Sequence, residues 1–229
     1  MKPALTRLIV AKTVANTALR WIPPFLPTLE RAFGATTTQL TTVIGVGETA
    51  GLSTIAVGRH LDRRRERAVL IGGLLAIATS AVIALIGTLA AFAVSFAVLI
   101  GGVSNFTVAG HAWISHRVDY RWRARSIGFF ETSWALALLV GAPIVAVLIA
   151  LVGWRGPFAA IAVAALAAAL LVAVTLPTHD PNPAGDDASG DDRALNDAVN
   201  HDAADRAPNG AEDGETGGKM PGRAWFVIA

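Results

Sequence analysis

Gly58-Arg59-His60-Leu61-Asp62-Arg63-Arg64-Arg65-Glu66-Arg67 is a short connection between two long apolar segments of the chain. Five of these residues are arginines, so the connection is strongly basic. In membrane proteins, Lys and Arg are enriched in the loops that face the cytoplasm. The stretch therefore predicts a chain that crosses a membrane on both sides of a cytoplasmic loop.

The composition supports a polytopic membrane protein. The chain has 229 residues, of which 53% are hydrophobic, and it contains no cysteine. Several runs of about 20 apolar residues carry few charges, which is the length that a membrane helix needs. Without cysteine, disulfides, thiolate metal sites and thiol nucleophiles are excluded. We predict neither a metal site nor a cofactor.

Six candidate membrane spans follow from these runs. They lie at about 8–29, 38–57, 68–88, 89–115, 126–152 and 157–176. Continuous apolar spans of this length must be helical, because only helices and closed barrels satisfy the backbone inside lipid. The fold class is therefore predicted as an all-α membrane protein with six transmembrane helices. The first span is read as a retained helix, because prolines follow it instead of a small-residue cleavage site.

The positive charges give the orientation. With the N-terminus inside, the inner side carries eleven Lys or Arg residues and the outer side only Arg31 and Arg155. This asymmetry predicts a multi-pass protein of the plasma membrane with a cytoplasmic N-terminus. The high pI then reflects orientation, and we do not predict nucleic-acid binding.

The composition changes after Pro177. Residues 178–222 are rich in Asp, Ala, Gly, Asn and Pro, and residues 178–229 carry a net charge of −7. A segment with so few large apolar residues is predicted to be a disordered, cytoplasmic acidic segment. Residues 223–229 are again apolar and aromatic. They are either the start of a truncated seventh helix or a hydrophobic end without structural meaning.

Several motifs resemble the major facilitator superfamily, and together they cover nearly all of the chain. The basic loop presents the family's pattern at Gly58, Asp62, Arg63 and Arg67, although Arg65 stands where the family usually has a glycine. The other matching stretches are Trp21–Pro27 at the exit from span 1, Arg121–Gly128 at the start of span 5, and Gly153–Phe158 between spans 5 and 6.

The resemblance implies a secondary transporter that moves a small solute by alternating access, with H⁺ as a possible second substrate. Such transporters have twelve helices in two halves, and each half is a pair of inverted three-helix repeats. Residues 1–177 would be the N-terminal half, with repeats at about 1–88 and 89–177, and residues 178–222 the link between halves. A missing C-terminal half or a second copy would be its partner. The basic loop would be a conformational latch, and Gly141-Ala142-Pro143 only weakly matches the antiporter signature of efflux members.

Spans 1 and 2 contain polar residues that suggest a translocation cavity. Lys12, Asn16 and Arg20 share one face of span 1. Lys12 can extend toward the interface, whereas Arg20 lies deeper and either binds an anionic solute or forms a structural ion pair. Glu48 lies at a similar depth in span 2, where it can pair with Arg20. A carboxylate at that depth is either a proton carrier or a static partner.

Spans 4 and 5 contribute a second group of polar residues. Asn105 and His111 lie in span 4, and Glu131 lies in span 5 at a depth close to that of His111. A hydrogen bond between His111 and Glu131 is predicted, either as part of the cavity or as a structural contact. Trp134, one turn from Glu131, packs in the cavity or faces lipid.

Two other classes of protein compete with the transporter interpretation. An intramembrane serine protease would need Ser104 to reach His111, but the two are seven residues apart on one helix, about 10 Å along its axis. No other catalytic motif is present, so we predict that the chain is not an enzyme. The second alternative is a six-helix membrane protein without transport activity, either a remnant or an assembly partner.

Overall fold

The computed structural model of the protein describes residues 3–56 and 65–176. All regular secondary structure in these two ranges is helical. The helices are α1 (Pro3–Arg20), α2 (Leu26–Phe33), α3 (Thr37–Gly47), α4 (Glu66–Ala84), α5 (Leu89–Arg117), α6 (Tyr120–Val152) and α7 (Arg155–Thr175). Gly58, Asp62 and Arg63 of the basic loop lie outside the described residues, as does the acidic segment with the apolar stretch that follows it.

Four helices are long and apolar enough to cross a membrane, namely α4, α5, α6 and α7. They correspond to predicted spans 3 to 6, and their ends differ from the prediction by at most six residues. The 18 residues of α1 carry three charges, Arg7, Lys12 and Arg20, and therefore do not qualify by composition. The fold is thus an all-helical membrane bundle in which four spans are evident from length and composition alone.

The prediction of continuous helices in the first two spans was wrong. Helix α1 ends at Arg20, a short 3-10 turn follows at Pro23–Phe25, and α2 begins at Leu26. Pro23 and Pro24 lack the backbone N–H that continuing the helix would require. In the second span, α3 ends at Gly47 and the backbone tightens into a 3-10 stretch at Glu48–Leu52 before helical geometry resumes up to Ala56.

The start of α3 is fixed by a capping box. The backbone N–H of Gln39 donates to the Thr36 hydroxyl at 3.3 Å, and the backbone N–H of Thr36 donates to Gln39 Oε1 at 2.9 Å. Two backbone donors that no helical carbonyl can reach are satisfied in this way. The preceding turn contains Gly34 at φ 59°, a left-handed conformation that glycine adopts without strain.

Replacing Thr36 with alanine should lower the free energy of unfolding by about 1 kcal/mol, because the cap of α3 loses its side-chain acceptor. Thr42→Ala is the matched control, since Thr42 is an exposed residue of the same helix whose hydroxyl donates to the Thr38 carbonyl oxygen. Thermal unfolding in detergent micelles measures both variants. Equal stability of the two variants would show that the capping box does not contribute.

Helices α4 and α5 form the most extensive contact of the bundle, and two glycines allow it. A Cβ atom placed on Gly73 would lie 2.8 Å from the Gly102 carbonyl oxygen, and one on Gly102 would lie 2.8 Å from the Gly73 carbonyl oxygen. The two backbones therefore touch at this crossing. Gly47, at the end of α3, and Gly51, in the 3-10 stretch that follows, also pack against α5.

The two ends of the bundle differ in chemistry. At one end, aromatic rings from α2, α5, α7 and the turn after α1 pack together, with Trp21 and Phe158 at a centroid distance of 5.1 Å and Phe33 and Phe92 at 4.9 Å. At the other end lie the start of α4, the end of α5 and the basic start of α6. The tight turn at Gly87, whose φ is 80°, joins α4 and α5 at the aromatic end.

Candidate functional site

Lys12 is the centre of a polar cluster between α1, α5 and α6. Its side chain is 2% exposed, and its ammonium group donates a hydrogen bond to Thr107 Oγ1 of α5. The same Nζ lies 5.0 Å from the centroid of the Phe130 ring of α6, a cation–π contact. The alternative in which Lys12 extends toward the interface is therefore not observed. Thr107 of α5 and Phe130 of α6 keep the Lys12 side chain inside the bundle, and the sequence of α1 alone does not show these contacts.

Asn16 lies one turn further along α1 and joins the same three-helix region. It is 5% exposed, and its Nδ2 donates to Ser133 Oγ at 3.1 Å. The Ser133 hydroxyl in turn donates to the Phe130 carbonyl oxygen at 2.6 Å. Asn16 is thus a buried polar link between α1 and α6. Neither Ser133 nor Thr107 was predicted, because isolated hydroxyl residues in apolar helices give no sequence signal.

His111 and Glu131 meet beside this link. His111 Nε2 and Glu131 Oε1 are 2.9 Å apart, which confirms the predicted hydrogen bond. Their side chains are 40% and 47% exposed, so the pair is open on one side. Glu131 also interacts electrostatically with Lys12. Lys12, His111 and Glu131, each from a different helix, therefore lie in one region of the bundle.

Arg20 and Glu48 do not form the predicted pair. No ion pair or hydrogen bond joins them among residues 3–56 and 65–176. The Arg20 guanidinium instead stacks on the ring of Trp134, with its central carbon 5.3 Å from the centroid. Glu48 is exposed at the beginning of the 3-10 stretch. The prediction assumed a regular second span, and the break after Gly47 changes where Glu48 lies.

Asn105 lies apart from the Lys12 cluster. Its Nδ2 donates to Ser53 Oγ at 3.3 Å, which links α5 to the helical stretch that follows α3. Ser53 and Asn105 line a groove that contains no residue of α1 or α6. The structure therefore places Asn16, His111 and Glu131 beside Lys12, and Arg20 also interacts electrostatically with Lys12. Glu48 and Asn105 lie elsewhere, the first exposed and the second in this groove.

A further charged cluster at the basic end was missed. Glu66 is 1% exposed; its Oε1 lies 2.5 Å from His116 Nδ1 and its Oε2 lies 3.6 Å from an Arg117 nitrogen. Arg67, predicted as part of the loop, is in α4 and donates to the Ala173 carbonyl oxygen of α7. The sequence did not predict this cluster, because nothing in the basic residues around Glu66 indicates that its side chain is buried. The cluster joins α4, α5 and α7 at one end of the bundle.

These arrangements are suited to handling ions and polar solutes inside a bilayer. Charged and titratable groups are costly within a membrane and occur where they face an interior path or a partner. Within the described ranges, no three His, Asp or Glu side chains are grouped so that they could hold a metal ion. An apolar helix bundle with a buried lysine, a histidine–carboxylate pair and a stacked arginine has the features of a membrane transport protein.

Comparison with known families identifies the chain. A sequence model described as Major Facilitator Superfamily matches residues 8–223, which is most of the chain. The protein therefore belongs to the Major Facilitator Superfamily, a family of membrane transporters. No curated protein shows significant similarity to it.

Proposed function

We propose that this chain forms one half of a secondary active transporter that moves a small solute by alternating access, coupled to a proton. The observation that carries the proposal is the convergence of Lys12, His111 and Glu131 from three helices. Counted from the basic end, all three lie six to eleven residues into their helices, or about 9–17 Å along the axis. They thus lie about two to three helical turns from the basic end of the bundle.

The pairing of the helices supports two inverted repeats, residues 1–88 and 89–177. If the two repeats correspond span by span, α1 is equivalent to α5, α3 to α6, and α4 to α7. Under this exchange, the contact of α4 with α5 becomes that of α7 with α1, and the contact of α3 with α5 becomes that of α6 with α1. All four contacts are present. We therefore propose six spans, with α1 and the α3 region as the first two.

Glu131 is proposed as the proton carrier. Protonation removes the negative charge that His111 and Lys12 face, so it weakens the attraction between α6 and its two neighbours. A group whose pairing changes with its proton provides the link between proton binding and helix movement. Arg20 and Asn16 are proposed to contact the solute. Glu48 is the second candidate for the carrier, because it is an exposed carboxylate in the second proposed span.

The proposed setting is the plasma membrane, with the basic end of the bundle and the acidic segment in the cytoplasm. Eleven Lys or Arg residues on that side against two on the other support this orientation. The basic loop with Gly58, Asp62, Arg63 and Arg67 is proposed to act as a conformational latch. A second six-helix half, either in a longer polypeptide or from a second copy, would complete the cavity. Transport in either direction, uptake or efflux, is compatible with this proposal.

Two measurements test the proposal together. An immunoblot against the N-terminal region, on membranes from cells that express the native locus, gives the mass of the protein. A band near twice 23.8 kDa means two halves in one polypeptide, and a band at 23.8 kDa means a six-helix product. The purified protein is then placed in liposomes that enclose a pH-sensitive dye and is exposed to a panel of small solutes.

We expect that adding at least one solute changes the internal pH of liposomes that contain the protein. Liposomes without the protein are the control. Solute entry without proton movement would refute the coupling but not the transport. No solute movement with any member of a broad panel would favour the alternative of a six-helix membrane protein without transport activity.

A further inference from the structure

A groove of about 480 Å³ lies between α4, α5 and the helical stretch after α3. Six of its lining residues form one stripe, which begins at Arg65, just before α4, and ends at Ala76 of α4, about 16 Å further along the helix axis. No residue of α1 or α6 lines it, so it is separate from the Lys12 cluster. Its openings at Ser53, Ala68 and Gly72 are exposed on the outside of the bundle.

The groove has a polar end and an apolar end. Arg65 lies at the basic end of the bundle, and Ser53 and Asn105 add a hydroxyl and an amide along the wall. Toward the other end, the lining is Ala76, Val98 and paired glycines. Because glycine has no side chain and alanine only a methyl group, a slender apolar chain can approach the helix backbones closely here.

Arg65 supplies an anion site at the polar end. Its side chain is exposed, and no carboxylate of the described ranges forms an ion pair with it. A guanidinium matches a phosphate through two parallel hydrogen bonds. A site that combines this cation with an apolar furrow of about 16 Å is complementary to an amphiphile with an anionic head and an alkyl chain.

We propose that the groove binds one phospholipid with an anionic headgroup, its phosphate at Arg65 and one acyl chain along Gly72 and Gly101. The charge of Arg65 and the direction of the polarity gradient select this occupant, because both match the arrangement of a lipid in the leaflet at the basic end. Basic pockets between membrane helices recognise anionic lipid headgroups by the same chemistry.

The test is native mass spectrometry of the full chain in micelles doped with either dioleoylphosphatidylglycerol or dioleoylphosphatidylcholine. Arg65→Gln removes the charge, Arg65→Lys keeps it, and Gly72→Leu fills the furrow. A Cβ at Gly72 meets no atom within 4 Å, so the added side chain starts in open space. The matched controls are Arg31→Gln and Gly45→Leu, which change an exposed arginine of α2 and an open glycine of α3.

The wild-type chain should retain one phosphatidylglycerol in preference to phosphatidylcholine. Arg65→Gln should reduce this preference about fivefold, the effect of one cation near an anionic lipid, and Arg65→Lys should keep most of it. Gly72→Leu should lose retention of both lipids, with both controls unchanged. Full retention in Gly72→Leu, with a wild-type elution profile on size exclusion, would overturn the proposal. A two-chain mass that Gly72→Leu abolishes would assign the groove to a second copy and overturn it as well.

Discussion

Replacing Gly102 with valine is expected to lower the free energy of unfolding by on the order of 3 kcal/mol, at the upper end of the usual cost of overpacking. The first added carbon would lie 2.8 Å from the Gly73 carbonyl oxygen and 3.1 Å from side-chain atoms of Ala76 and Ile77. A backbone carbonyl within a helix cannot rotate away. Helices α4 and α5 must therefore separate along the most extensive contact of the bundle.

Gly72→Val is the matched control, because Gly72 is adjacent to Gly73 on the same helix and has no neighbour within 4 Å of its Cβ position. It should leave the stability unchanged or raise it slightly, since valine has a higher helix propensity than glycine. Unfolding in mixed micelles, followed by tryptophan fluorescence, compares the two variants. If Gly102→Val is as stable as Gly72→Val, the close approach of α4 and α5 is incorrect.

Replacing Glu131 with glutamine is expected to abolish proton-driven accumulation of the solute while solute exchange continues. Glutamine cannot carry a proton, but its amide can still hydrogen-bond His111, so the local structure is retained. A pH difference of one unit provides about 1.4 kcal/mol per proton, which sustains about tenfold accumulation in a coupled carrier. In Glu131→Gln this ratio should fall to one.

The measurement uses liposomes with the first solute identified by the dye assay, with accumulation and counterflow exchange recorded separately. Glu30→Gln is the control, because Glu30 is a carboxylate of α2 outside the cluster. Loss of both accumulation and exchange would indicate a structural role for Glu131. Unaltered accumulation would exclude Glu131 as the carrier, and Glu48→Gln would then test the second candidate in the same assay.

The parts of the fold that could be predicted are those that depend on uninterrupted apolar runs. Helices α4 to α7 follow from such runs, and Gly87 and Gly153 mark two of the three turns between them. The first two spans could not be predicted in detail. The 3-10 stretch at Glu48–Leu52 packs against α5, and the apolar run of the second span does not show that the helical geometry changes there.

The site was predictable only where two residues lie at matching depths in neighbouring spans. His111 and Glu131 meet this condition, and their contact was found. Lys12 does not meet this condition. Its position depends on Thr107 and Phe130, which carry no charge that would identify them as its partners in the sequence. Arg20 was assigned a carboxylate partner on electrostatic grounds, although a tryptophan face also satisfies a guanidinium.

The short π-helical segment at Ala137–Gly141 within α6 has an evolutionary consequence. A π turn holds one more residue than an α turn, so a regular helix can accommodate a single inserted residue as such a segment. Gly141, at the end of the segment, packs against Thr17, and Glu131 before it faces His111. Relatives that lack the insertion would be one residue shorter here, and an alignment that ignores the gap would pair the wrong positions in every later part of the helix.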